Sequence, residues 1–297
     1  MKKYFLLFTF ILICSVFAGC HKNEDPPPDP QPLPMEDIAY GSHPRQTMDI
    51  SLPLNAGSCN QVPVVMCIHG GSWSGGDKED FDWIKRSVND YNCAYVTINY
   101  RLVQDNVTYR EMLDDVHKAI FYLKTHSNSY HLKTDRMALL GSSAGGHLAL
   151  LYSYTVNSPI PIACVSSQVG PADFLDPGQI ALNGREKLDL MNKLLGTRVS
   201  YTEFEQPGFI FPESWTLASP IYHVSNDSPP TVLAYGMRDE LVSYTNALRL
   251  NDTLEAYGVD HRLILYPNSG HGLNNDPDKS TEYWRTLIQY VDAYLLR

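Results

Sequence analysis

The apolar run Met137 to Leu140 ends in Gly141-Ser142-Ser143-Ala144-Gly145, and an Ala/Leu-rich run follows at once. That is the strand, sharp turn and helix order of a nucleophile elbow. Gly141 and Gly145 suit a turn whose backbone is strained and which leaves no room for side chains where strand and helix approach. Ser143, the central serine, then stands exposed at the carboxyl edge of a parallel sheet. The N–H of Ala144, at a helix N-terminus, points toward the place where negative charge would develop on a substrate oxygen. Ser142 is off-centre and faces elsewhere. Gly-x-Ser-x-Gly alone is common by chance, so the rest of the chain has to supply its context.

From residue 36 onward strand and helix patterns alternate. Gln46 to Leu54 places Met48, Ile50 and Leu52 on one face, as an outer antiparallel strand would. Continuous apolar runs follow at Val62 to Ile68, Ala94 to Ile98, Met137 to Leu140, Ile162 to Val165, Val232 to Tyr235 and Leu263 to Tyr266, as in buried parallel strands. Helical spacing links Phe81, Ile84, Val88 and Tyr91, then Leu113, Val116, Ile120 and Leu123. It recurs at Ala247, Leu250, Leu254 and Tyr257, with Gly258 as a C-terminal cap, and at Trp284, Leu287, Val291 and Tyr294. The pattern predicts an α/β fold with a mostly parallel sheet covered by helices on both faces, and the family resemblance given below implies eight strands in it. Active sites in such sheets lie beyond the carboxyl ends of the strands.

Those ends carry the chemistry. His69-Gly70-Gly71-Ser72-Trp73-Ser74-Gly75-Gly76 follows the strand Val62 to Ile68. A glycine pair there lets backbone N–H groups approach a substrate oxygen. No Gly-Lys-Ser/Thr and no G-x-G-x-x-G is present, so nucleotide loops are excluded. Asp239 follows Val232 to Tyr235, and His271 lies in Pro267-Asn268-Ser269-Gly270-His271-Gly272 after Leu263 to Tyr266. The order Ser143, Asp239, His271 predicts a nucleophile, an orienting carboxylate and a general base. Glu240 should point the other way. Asp227 and Asp260 precede strands, at the wrong end. His69 reads as a brace for the glycine loop and His147 as a group bonded beneath the elbow. Asn274, Asp276 and Asp278 lack calcium-loop spacing and read as a solvated loop. No C-x-x-C or zinc spacing occurs, so neither metal nor cofactor is expected.

Between Val169 and Pro220 the periodicity breaks down, and aromatic residues stand among Gly and Pro. This stretch, about residues 170–220, reads as an insertion, which the family resemblance given below implies is a small cap after the sixth strand. Trp73 and Trp215 are the candidate substrate contacts, with the alternative that the rings pack the cap onto the sheet.

The segments HGGSWSGGDK, GSSAGGHLA, ASPIYHV, SPPTVLAYGMRDELV and AYGVDHRLILYPNSGHG together resemble the α/β-hydrolase superfamily. They are most similar to bacterial esterases of the hormone-sensitive-lipase type and to the ferulic acid esterases of Bacteroidetes. The resemblance runs from about Asp49 to the C-terminus. It implies a serine esterase whose oxyanion hole is formed by the amides of Gly71, Ser72 and Ala144. Ser72 departs from the commoner His-Gly-Gly-Gly, which puts the width of the acyl pocket in question. Acetyl or feruloyl esters on plant-derived carbohydrate are the substrates implied. An amidase, arylformamidase or peptidase on the same triad is an alternative, and so is a carbohydrate-binding lipoprotein that keeps the fold without the activity.

Export is expected from the N-terminus. Lys2-Lys3 and an apolar run from Tyr4 to Phe17 are expected to be a signal peptide. Its end, Val16-Phe17-Ala18-Gly19-Cys20, resembles a bacterial lipobox with Phe17 where leucine is commonest, which implies a lipoprotein signal peptide over residues 1–20 and lipidation at Cys20. Cleavage after Ala18 by an ordinary signal peptidase is the alternative. Residues 21–35 form a Pro-rich spacer before the domain at 36–297. The location implied is a bacterial envelope, on the periplasmic or cell-surface face, with the membrane engaged through the anchor only. Cys59 and Cys93 precede candidate neighbouring strands and form a candidate disulfide in that oxidising setting. The net charge of −10 argues against nucleic acid as a partner. A small-molecule or oligosaccharide ester remains as the ligand, and the sequence leaves the oligomeric state open.

Overall fold

The structure, a computed structural model, describes residues 35–297 apart from 58, 106, 183 and 184. The expected signal peptide, Cys20 and nearly all of the spacer therefore lie outside the described residues. Eight strands form one open sheet: β1 (Ile38–Ala39), β2 (Thr47–Ser51), β3 (Val62–Ile68), β4 (Ala94–Ile98), β5 (Leu132–Ser142), β6 (Ile162–Gln168), β7 (Thr231–Gly236) and β8 (His261–Tyr266). Their order is β1-β2-β4-β3-β5-β6-β7-β8. The β1–β2 and β2–β4 pairs are antiparallel and the other pairs are parallel. This is the α/β-hydrolase fold the sequence predicts.

Among the described residues nine α-helices accompany the strands: α1 (Lys85–Asp90), α2 (Tyr109–Thr125), α3 (Ala144–Thr155), α4 (Pro177–Leu182), α5 (Arg185–Leu195), α6 (Tyr201–Phe204), α7 (Glu213–Leu217), α8 (Tyr244–Ala256) and α9 (Pro277–Tyr290). Alternation along each strand splits the core in two. Val64, Met66 and Ile68 of β3 face a large cluster with α2, α3 and α8, while Val65 and Cys67 face a second one with α9. Both faces of the central strands are therefore dry, which is why they read as unbroken apolar runs. α2 begins at Thr108, whose hydroxyl and Glu111 form a reciprocal capping box. α8 ends at Gly258, left-handed at φ +68°.

The stretch after β6 holds α4 to α7 and is tied to α8 by buried polar groups. Asn246 Oδ1 accepts from the N–H groups of Ala172 and Asp173 at 2.9 and 2.8 Å. Arg249 Nε donates to the fully buried Asp173 at 2.8 Å. Contrary to the expectation of lost periodicity, α5 is amphipathic, burying Leu188, Met191, Leu194 and Leu195.

The expected Cys59–Cys93 disulfide is absent. β3 and β4 are indeed parallel neighbours, with Val64 opposite Ala94. That register sets Cys93 level with Pro63, whereas Cys59 sits four residues further out in an exposed turn bracketed by the Gly57–Asn60 bridge. Cys93 is instead a buried thiol whose Sγ donates to the Tyr91 carbonyl at 3.6 Å, and burial pushes its pKa up to about 12.

Candidate active site

Three strand ends converge on Ser143. The turn from β5 to α3 gives Ser143 φ 52° and ψ −120°, a conformation costing about 1–3 kcal/mol in a residue with a Cβ. The surroundings enforce it. A Cβ on Gly145 would lie 2.0 Å from the Ile68 carbonyl oxygen, so only glycine lets α3 start against β3. Ser143 N–H donates to the Gln168 carbonyl at 2.7 Å, which fixes the turn to the end of β6.

His271 Nε2 lies 2.9 Å from Ser143 Oγ, and His271 Nδ1 lies 2.7 Å from Asp239 Oδ2. With Nδ1–H donating to the carboxylate, the Nε2 lone pair faces the serine hydroxyl. The side chain of Asp239 is fully buried. Its second oxygen accepts from the N–H groups of Leu241 and Val242 at 2.8 and 3.0 Å, which holds the carboxylate plane. Gln179 of α4 reaches the same loop, donating to the Leu241 carbonyl at 3.1 Å and accepting from Ser243 N–H at 3.0 Å. The structure thus brings Ser143, His271 and Asp239 into one hydrogen-bonded chain.

The loop carrying His271 is pinned from behind by Asp276. That carboxylate accepts from Ser269 Oγ at 2.6 Å and from Asn268 N and Nδ2 at 3.0 and 2.9 Å. Burial works against its charge, yet these bonds hold its pKa below the ordinary carboxylate value. The solvated loop expected at 274–278 is therefore corrected at Asp276, which is buried and structural.

Gly71, Ser72 and Trp73 all have positive φ, at 106°, 52° and 54°. Ser74 and Gly75 N–H both donate to the Gly71 carbonyl at 3.0 Å. Among the described residues no hydrogen bond occupies the N–H groups of Gly71, Ser72 or Ala144. Ser143, Val169 and Leu273 also have positive φ, so strained backbone collects around this one spot.

Behind the loop stands a brace that the motifs did not reveal. Arg45 donates from Nε to the Tyr100 carbonyl at 2.9 Å, and from Nη2 to the Gly76 carbonyl, Asn99 Oδ1 and His69 Nε2 at 3.0, 3.0 and 3.1 Å. His69 is fully buried and stacked on Tyr100 at 4.4 Å, and its Nδ1–H donates to the Gly70 carbonyl at 2.6 Å. Burial lowers the His69 pKa, and the guanidinium adds to that effect. Arg45 lies outside every motif, and long-range convergence of this kind has no local signature.

His147, one turn into α3, joins three segments. Its Nε2–H donates to the Ala218 carbonyl at 2.7 Å, and its Nδ1 accepts from Trp73 Nε1–H at 3.2 Å. Phe174 packs against both rings.

Two cavities open at Ser143 and share Ser72, Leu241 and His271. One, of about 100 Å³, is lined mainly by apolar side chains, among them Trp73, Phe174, Leu190 and Met191, with Lys187 at its edge. Burial lowers the Lys187 pKa, and neighbouring Asp239 opposes that shift. The other, of about 440 Å³, is more polar and includes Asp80, Trp83 and Gln168. Trp73 therefore lies at the site. Trp215 does not: it lines neither cavity, is fully buried, and packs on Phe211 and Phe204 at 5.1 and 6.2 Å. Its expected substrate contact is corrected to a packing role, as the core of the inserted segment. Trp83, which no sequence motif singled out, lines the larger cavity and is exposed there.

The family model described as BD-FAE matches residues 48–254, more than half of the chain. The chain belongs to the BD-FAE family. The BD-FAE match contains Ser143 and Asp239, while His271 lies beyond it. The chain is also 29% identical over 238 residues to the probable carboxylic ester hydrolase LipM of Mycobacterium tuberculosis, covering 77% of this chain and 53% of LipM. It is 25% identical over 250 residues to the probable isoprenylcysteine alpha-carbonyl methylesterase ICMEL1 of Arabidopsis thaliana, covering 81% and 51%. The chain thus spans about half the length of these curated relatives. Among solved structures, a truncated form of a carbohydrate esterase from gut microbiota superposes with a TM-score of 0.72 at 19% identity, over 87% of this chain and 94% of that one. That likeness reflects the shared fold.

Proposed function

We propose that this BD-FAE chain is a serine-dependent carboxylic ester hydrolase acting on short acyl groups, acetyl foremost, carried by carbohydrate. The observation that carries the reading is the unbroken chain from Ser143 Oγ through His271 to buried Asp239. Ser143 Oγ attacks the acyl carbon while His271 Nε2 takes its proton. Asp239 keeps the other imidazole proton on Nδ1 and stabilises the imidazolium that forms. The carbonyl oxygen becomes an oxyanion facing the N–H groups of Gly71, Ser72 and Ala144; loss of one such donor typically raises the barrier by about 3 kcal/mol. His271 then passes its proton to the leaving alcohol oxygen, and a water, deprotonated by the same nitrogen, cleaves the acyl-serine.

The cavities support the substrate class. A dry apolar cavity of about 150 Å³ binds benzene, and the apolar one here, at about 100 Å³, has room for an acetyl group. The larger, more polar cavity suits a sugar alcohol. Two probable ester hydrolases among the similar proteins support the reaction class, and a gut carbohydrate esterase shares the fold. Lipidation at Cys20 after export would hold the enzyme at an envelope surface, where polymer-derived esters arrive.

The test is hydrolysis of p-nitrophenyl acetate and methyl ferulate by the full chain and by Ser143→Ala. The proposal expects acetyl turnover that exceeds feruloyl turnover and falls at least about 10³-fold in the variant. Serine-independent turnover would overturn the mechanism, and a feruloyl preference would overturn the substrate class.

A further inference from the structure

We infer that Trp83 and Asp80 form a glycosyl subsite that holds a neutral pyranose ring of the leaving alcohol beside Ser143. The inference rests on the proposed esterase reading and assigns residues to its alcohol side. Trp83 and Asp80 sit on one 3₁₀ turn, Lys78–Ile84, which directly follows the loop of Gly71 and Ser72. Flanking Phe81 and Ile84 are buried at 5% and 3% exposure, which anchors the turn, yet Trp83 is 63% exposed. Burial of Trp83 within the fold is therefore a poor reason for a tryptophan there.

The ring is nevertheless held in place. It packs edge-to-face with Trp284 at 5.1 Å and 86°, and Trp284 in turn packs on Tyr283 at 4.8 Å and 75°. An exposed, packed aromatic surface thus borders the same cavity as Ser143 and His271. The apolar C–H face of a pyranose packs on such a surface, and its equatorial hydroxyls need acceptors at the rim. Asp80 supplies one. Its Oδ2 accepts from Asp77 N–H at 3.0 Å as part of the turn's cap, and its Oδ1 makes no bond among the described residues. Gln168 lines the same cavity. A carboxylate at this rim, on a chain of net charge −10, disfavours uronate rings and selects neutral ones.

The experiment compares an acetylated xylo-oligosaccharide with vinyl acetate, whose leaving group is too small to reach Trp83, by titrating released acid. Trp83→Ala and Trp83→Phe are set beside the parent. The expected result is a fivefold to tenfold fall in the kcat/KM ratio of sugar ester to vinyl acetate for Trp83→Ala, carried by KM, with Trp83→Phe near the parent; the size is about that of one stacking contact. Equal losses on both substrates, or no loss on either, would overturn the subsite. So would a loss confined to methyl ferulate, which would assign the ring to an aromatic acyl group. Calorimetric binding of unacetylated xylobiose to the Ser143→Ala chain, with and without Trp83→Ala, reads the subsite without turnover. Binding that requires Trp83 supports it even if no serine-dependent hydrolysis appears, whereas Trp83-independent binding, or none, contradicts it.

Discussion

His147 makes the stability of this chain depend on pH in a calculable way. The imidazole is fully buried, and burial lowers its pKa from 6.5 to about 4, against the opposing effect of the Ala218 carbonyl. The neutral form fits because Nε2–H donates to Ala218 while the Nδ1 lone pair accepts from Trp73. A second proton at Nδ1 would meet the indole N–H head-on. The unfolded chain takes up that proton near pH 6.5 and the folded chain only near 4. The stabilisation is therefore complete above 6.5 and is lost as pH falls toward 4. Linkage gives a loss of about 2 kcal/mol by pH 5 and about 3 kcal/mol by pH 4 from this one residue. That is a large part of an ordinary domain stability of about 5–15 kcal/mol. Carboxylates also titrate in acid, so the comparison needs His147→Gln, whose amide can donate to Ala218 and accept from Trp73 but does not ionise. Urea unfolding of both chains at pH 7, 6 and 5 should show the parent losing about 2 kcal/mol more than the variant. Parallel curves would refute the reasoning.

Other substitutions follow from the same geometry. Asp239→Asn can still accept from Leu241 and Val242, but its amide would face His271 Nδ1 and reverse the imidazole tautomer; kcat should drop about 10³ to 10⁴-fold with an unchanged melting temperature. Arg45→Ala releases the Gly76 carbonyl and His69 behind the oxyanion loop, so steady-state kinetics should show kcat falling about 10 to 100-fold with KM little changed, and Arg45→Lys recovering part of the loss. Gly145→Ala places a Cβ 2.0 Å from the Ile68 carbonyl oxygen and should cost about 3 kcal/mol or more. Gly75→Ala, with its nearest contact at 3.9 Å, should melt within a few degrees of the parent.

The parts of this molecule that could be read from sequence are those whose physics is local. A buried parallel strand must be apolar along its length, and a turn that lets backbone approach backbone must be glycine, so the strand ends at Ser143, Asp239 and His271 stood out. Where two long-range constraints meet, local reading failed. The N-terminal half of β5 is Leu132 to Arg136, polar because only part of it is buried, and the register shift against β3 between Pro63 and Val64 marks the change. Strand β1 has two residues and carries no pattern. The helical face of α5 was hidden by its Gly- and Pro-rich flanks. Trp215 and Trp83 are chemically the same residue, and only the packing of Phe204 and Phe211 makes one a core and leaves the other a surface. Arg45 converges with His69 and Gly76 across 24 and 31 residues of chain, a distance over which side-chain pairing leaves no trace in spacing.

Labelling of the full chain with a fluorophosphonate ester, followed by peptide mass spectrometry, tests the central claim most directly. If Ser143 is the nucleophile activated by His271, one adduct forms on the peptide carrying Ser143, hydrolysis of acetyl esters stops in proportion, and His271→Ala slows labelling at least about 10³-fold. Labelling at Ser142 or another serine, or full labelling of Ser143 with acetyl ester hydrolysis intact, would contradict the account.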